Sequence, residues 1–126
     1  MREIKFRVYD EDYKKMRYLN DLHDSITFRE NGNAYYHNMQ TGLGEWFSDL
    51  MQYTGLKDKN GVEIYEGDII EQGAMLFKIE YNIKVIGFVL VPIREYVFDY
   101  MPVNVENHLP GQVIGNIYEN KELLGE

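Results

Sequence analysis

Three histidines (His23, His37, His108), two serines (Ser25, Ser48) and 21 carboxylates are the groups in this 126-residue chain able to move a proton, attack a carbonyl or hold a metal. Their spacing assembles none of these chemistries. The histidines stand far apart, without the short separations of a metal-ligand set, and neither serine sits in the strand-turn-helix setting of a nucleophile elbow. Asp58-Lys59-Asn60-Gly61 matches part of a calcium loop, but Leu56 occupies the position of the first carboxylate, so the oxygen cage cannot close and the segment reads as a turn. Gly42-Leu43-Gly44 has Phe47 where a dinucleotide fingerprint needs its third glycine, and the chain has no Gly-Lys-Ser/Thr phosphate loop. The acid pairs Glu66 with Asp68 and Asp10 with Asp12 could share a proton or a cation. In a chain this rich in acids, turn capping accounts for them first. With no cysteine, thiolate metal sites, thiol nucleophiles and disulfides are excluded. No residue is therefore assigned a catalytic, metal-binding or cofactor-binding role, and an enzyme is not expected.

Two surface features remain. Eleven tyrosines are an excess for this length, and tyrosine gives a rigid, wide contact area with a polar tip, which suits interfaces. Tyr35, Tyr36, Tyr96 and Tyr100 form the candidate interaction surface. The second feature is a basic strip of Lys5, Arg7, Lys14, Lys15 and Arg17, which a hairpin could gather on one edge. Charge counts against it as a nucleic-acid site. Residues 1–30 balance seven Lys or Arg against seven acids, so the whole formal charge of −8 falls on the rest of the chain, and an acidic surface repels the phosphate backbone.

The elements that would position these groups are short strands. Ile4, Phe6 and Val8 alternate with Lys5, Arg7 and Tyr9, the period of a half-buried strand. Lys15 to Leu19 is predicted to return beside it. Ser25 to Glu30 and Ala34 to Asn38 flank Asn31-Gly32-Asn33 as a hairpin. Glu45 to Met51 reads as a strand or as one helical turn. Ala74 to Tyr81 alternates, and Lys84 to Val91 is apolar on both faces, so this pair is expected to make the core, with Asn82 turning between them and Pro92 ending the second strand. Ile93 to Met101 stacks Tyr96, Phe98 and Tyr100 on one side, Pro102 to Gly111 reads as loop, and Gln112 to Tyr118 as a closing strand. Asn120 is placed to cap a short turn through Leu124 before Gly125.

The richest stretch is Leu50 to Ile70. Met51 to Thr54 and Val62 to Tyr65 are β-favouring runs around Asn60-Gly61, and Glu66-Gly67-Asp68 turns the chain into Ile69 and Ile70. The block QYTGLKDKNGVEIYEGDII (Gln52 to Ile70), the opening REIKFRVYD (Arg2 to Asp10) and the closing VIGNIYENKELL (Val113 to Leu124) resemble, in that order, the YopX family of small phage and prophage proteins. The resemblance implies a phage or prophage origin and carries over no catalytic residues.

These readings converge on a mainly β protein, or α+β with little helix: a small antiparallel barrel or sandwich of hairpins, SH3-like closure included, ending in a short helical turn. One domain over 1–126 is the default, with two lobes of about 1–49 and 50–126 as the other division. The absence of cysteine, of an apolar leader and of any run near the roughly 20 apolar residues of a membrane span points to the cytoplasm of a bacterial host. The expected function is a non-enzymatic accessory module that binds a phage or host protein or its own copies. The other reading is a nucleic-acid-associated small β-barrel.

Overall fold

The computed structural model describes residues 3–19, 24–28, 33–42, 44–47, 50–93, 101–102 and 111–125. They form twelve strands, every pairing antiparallel, and a 3-10 turn at Lys121–Leu124. The chain divides into two compact units, Ile4–Gln52 and Tyr53–Glu126, the latter joined by Met1–Glu3. Among the described residues, no helix is long and apolar enough to cross a membrane.

In the unit Ile4–Gln52, β1 (Phe6–Asp10) pairs on one side with β2 (Lys15–Tyr18) and on the other with the start of β6 (Leu50–Lys57). The turn from β1 to β2 is fastened by Asp10, whose Oδ1 accepts the backbone N–H groups of Asp12 and Tyr13 at 3.0 and 3.1 Å, the local bond that makes aspartate a turn former. A second sheet runs β3 (Asp24–Phe28), β4 (Ala34–Asn38), β5 (Gly44–Phe47). Val8 and Tyr36 are buried together, with Leu19 and Leu50 packed on them.

In the unit Tyr53–Glu126, the rest of β6 turns back through Asp58 to Val62 into β7 (Glu63–Tyr65). Gly61 holds φ at 83° in this turn, a backbone region glycine enters without steric penalty. β8 (Asp68–Gln72), β9 (Met75–Asn82), β10 (Gly87–Pro92), β11 (Met101–Pro102) and β12 (Gln112–Asn116) form a five-stranded sheet in the order β11-β10-β9-β8-β12. Its core is Ile64, Ile70, Phe77, Ile79 and Leu90, covered further by Met75, Phe88 and Val113. Asp58, only 2% exposed, knits turn to sheet: Oδ1 accepts the N–H groups of Asn60 and Val62 at 2.8 and 2.9 Å, and Oδ2 that of Val113 at 2.8 Å.

Two local expectations need correction, and one open choice is settled. The run from Lys84 to Val91 is not strand throughout, because residues 83–86 form the exposed tip between β9 and β10. Ile86 reverses the chain at φ 52°, a conformation that disfavours a β-branched residue. Of the two readings of Glu45 to Met51, the described residues take the strand: Gly44–Phe47 is a strand and Leu50 opens another. Asn120 does precede the 3-10 turn, but its side chain makes no capping bond there. Its Oδ1 instead accepts the backbone N–H of Asn116 at 3.1 Å. The expected stack of Tyr96, Phe98 and Tyr100, the tip Asn31-Gly32 and most of the loop from Pro102 to Gly111 lie outside the described residues.

Candidate functional site

The register of β3, β4 and β5 collects aromatic rings on one face. Successive strand residues point to opposite sides, so Tyr35 and His37 share a face, and pairing brings Thr27 and Trp46 beside Tyr35, and Ser25 and Gly44 beside His37. Ser25, Thr27, Gly44 and Trp46 are exposed, while Tyr35 and His37 are half-buried. The Tyr35 and His37 rings stack with centroids 6.5 Å apart and 13° between planes, and Trp46 packs edge-on to Tyr35 at 5.2 Å and 60°. Both are favoured aromatic geometries. Gly44 makes the row possible: a Cβ there would strike the Tyr35 hydroxyl and lie 3.1 Å from its Cζ and 3.4 Å from His37 Cδ2. The Tyr35 ring thus extends over the β5 backbone. None of these six side chains carries a carboxylate, ammonium or guanidinium.

The other face of the same sheet is turned inward. Ala34, Tyr36 and Asn38 are buried, and Asp24 accepts hydrogen bonds from the Tyr36 hydroxyl and, at 2.8 Å, from Asn38 Nδ2. Burial first, and then this bond to Asp24, push the Tyr36 hydroxyl above its ordinary pKa. Glu45, opposite Tyr36, joins Asp10 and Asp12 in a cluster in which one carboxylate oxygen of each lies within 4.8 Å of those of the other two. Burial raises the pKa of Glu45, and the charges of Asp10 and Asp12 raise it further, together with a hydrogen bond to Asp12. The donor set fits a cation poorly. Asp10 Oδ1 already takes two backbone N–H groups and its Oδ2 takes Arg17 Nε at 2.8 Å, which brings a guanidinium where a metal would need charge-free approach. Burial alone would raise Asp10, yet the Arg17 contact and the turn N–H groups outweigh it and hold the carboxyl below its usual value. This is a charge-compensated turn.

Comparison with known proteins locates the chain. A family model described as YopX protein matches residues 5–125. The chain belongs to the YopX family. Two solved structures resemble this YopX-family chain over nearly its whole length. Protein EF1440 from Enterococcus faecalis is 27% identical, with TM-score 0.55 over 98% of this chain and 99% of the other. Protein yopX from Bacillus subtilis is 24% identical, with TM-score 0.59 over 98% and 97%. No curated protein matches the chain.

The sequence-derived candidates in this YopX-family chain scatter. Tyr35 lies on the outer face, whereas Tyr36, its neighbour in one strand, is 7% exposed on the inner one, so the two cannot share a surface. Tyr96 and Tyr100, like His23 and His108, lie outside the described residues. The basic strip does not form one surface. Arg7 is 2% exposed, its guanidinium 5.9 Å from the Tyr18 ring centroid and donating to the Tyr18 hydroxyl at 3.4 Å. Arg17 pairs with Val8 in register, on the opposite side of the sheet from Arg7, where it is tied to Asp10 and stacks on Tyr13 at 5.7 Å. Lys5 is half-buried, and Lys14 and Lys15 are exposed at the turn. His37, Gly44 and Trp46, which complete the aromatic row, are absent from the sequence-derived surface. The alternation of β4 and the hairpin register are the signals that would have found them.

Proposed function

We propose that this YopX-family chain is a non-enzymatic protein-interaction module of phage or prophage origin, acting in the bacterial cytoplasm and docking a phage or host protein on the outer face of β3, β4 and β5. The observation that carries this reading is the row His37, Tyr35 and Trp46 on an uncharged face. Rigid aromatic side chains contribute large contact area at little entropic loss, and depletion of charge is what sets interface cores apart from ordinary surface. A nucleic-acid partner draws less support, since Arg7 is buried and Arg17 is already ion-paired.

The test is site-directed photo-cross-linking in bacterial cells, with a benzophenone side chain at Thr27 on the proposed face and, for comparison, at the exposed Val62 in the other unit. The expected result is a discrete cross-linked protein from Thr27 that is missing from Val62 and disappears with Trp46→Ala. Equal labelling from both positions, or labelling indifferent to Trp46, would remove the basis for this function.

A further inference from the structure

We infer that the occupant of this face is an extended, proline-rich peptide in the polyproline II conformation, neutral or basic in charge; this rests on the interaction-module reading above and names the partner's chemistry. Three observations converge on that class.

The first is shape. A polyproline II segment is stiff and presents flat pyrrolidine rings, and aromatic-lined surfaces are its recurring receptors. Here the His37, Tyr35 and Trp46 centroids extend over at most about 12 Å, the length of about four residues at ~3.1 Å each. The 60° step between Tyr35 and Trp46 breaks the row into two differently tilted surfaces, as a three-fold helix with successive ridges requires. A single flat ligand would favour coplanar rings.

The second is hydrogen-bond type. Polyproline II has no internal hydrogen bonds, and proline adds carbonyl acceptors without N–H donors. Its receptor must therefore donate. The face carries an indole N–H at Trp46, which only donates, and hydroxyls at Tyr35 and Thr27 and the His37 ring, each of which can donate; the Ser25 hydroxyl is given to the His37 carbonyl at 3.4 Å, and no carboxylate or side-chain amide is present among these residues.

The third is charge. Strands β3, β4 and β5 contain no lysine or arginine, so a nucleic-acid backbone would find no counterions along them. Their ionic residues, Asp24 and Glu45, share the inner face with Tyr36, and the unit Ile4–Gln52 that bears the face holds six Lys or Arg against eight acids, a net −2. The long-range field therefore favours a peptide with lysine or arginine flanking its prolines.

Trp46 is the only tryptophan of the chain, so its fluorescence reports the site directly. The intact protein is titrated with a peptide of alternating Pro-Pro pairs flanked by lysines, a peptide of the same length and charge with Gly-Ser for proline, a neutral gluco-oligosaccharide and single-stranded oligothymidylate. A saturable change with the proline peptide alone is expected, weakened at least about tenfold by Tyr35→Ala and, independently, by His37→Ala, with far-UV circular dichroism of both variants unchanged. A response to the glycine peptide equal to that of the proline peptide, a response only to the sugar or the oligonucleotide, or none up to millimolar proline peptide would each overturn the inference. If Thr27 still cross-links a Trp46-dependent protein in that case, the module reading stands and only the peptide class falls. If the cross-link is also missing, both fall.

Discussion

Replacing Asp58 tests the energetic account of the unit Tyr53–Glu126 most directly. The carboxylate is 2% exposed and accepts three backbone N–H groups, two within its own turn and one from Val113 on β12. Asp58→Ala orphans all three. Asn60 and Val62 are exposed, so water can replace part of the loss, and about 1 kcal/mol is assigned to each; Val113 is half-buried and takes about 2 kcal/mol. The sum, about 4 kcal/mol, is a large share of the 5–15 kcal/mol that holds a small domain together. Asp58→Asn keeps one oxygen and turns an amide donor on another N–H, so about half that loss is expected. A pH dependence accompanies it. Burial by itself would raise the Asp58 pKa, but the N–H bonds from Val113, Val62 and Asn60, aided by Lys59, prevail and lower it. A depressed carboxyl contributes stability that is fully present above its unfolded pKa and vanishes as pH falls through its folded pKa. Wild type should therefore lose stability below about pH 4 more steeply than Asp58→Ala. Urea unfolding followed by far-UV circular dichroism at pH 7 and pH 3 measures both effects. An alanine variant within about 0.5 kcal/mol of wild type, or one with the same acid sensitivity, would refute the keystone role.

Ile86→Gly should raise the thermal midpoint, because relieving a β-branched residue at φ 52°, 80% exposed, is worth about 1–2 kcal/mol against about 0.5–1 kcal/mol of added chain entropy; a lower midpoint would show that the tip is not strained. Gly44→Ala should destabilise by about 1–3 kcal/mol through its clash with Tyr35 and become nearly silent in a Tyr35→Ala background. Additive effects in that double-mutant cycle would mean that the ring does not lie over Gly44. Glu45→Gln should stabilise the unit Ile4–Gln52 at pH 7 and do little at pH 3. The sign follows from burial and the Asp10 and Asp12 charges raising the Glu45 pKa, so that the favourable protonated form is lost as pH climbs through that value. Denaturant midpoints for wild type and variant at the two pH values decide it, and a variant less stable at pH 7 would contradict the like-charge account.

The hairpin of β6 and β7 was legible in the sequence because two independent codes agreed there, Asn-Gly in the turn and β-favouring residues on both sides. The β9 and β10 pairing was legible from alternation, but its tip was not. An apolar run such as Ile83 to Ile86 looks like strand until one residue takes positive φ, and an isoleucine is the last place to expect that. Arg7 was misplaced because counting charges says nothing of burial; its guanidinium is buried against the Tyr18 ring. For the candidate face, composition pointed at tyrosine, yet neighbouring Tyr35 and Tyr36 necessarily part company in a strand. Which of them faces out depends on what the sheet packs against, and that is a tertiary fact. His37, Gly44 and Trp46 gained meaning only through pairing register, which links residues about ten apart that no local pattern joins.

The bond from Val113 to Asp58 spans 55 positions of chain, and this has a consequence for the order of events during synthesis. At about 5–20 residues per second, the carboxylate leaves the ribosome roughly 3–11 s before the strand that completes its coordination. For that interval the β6–β7 turn is solvated and one edge of β8 lacks its neighbour. The nascent unit therefore passes through a stage in which the β8 edge is available to other chains, and the arrival of β12 with Val113 covers it.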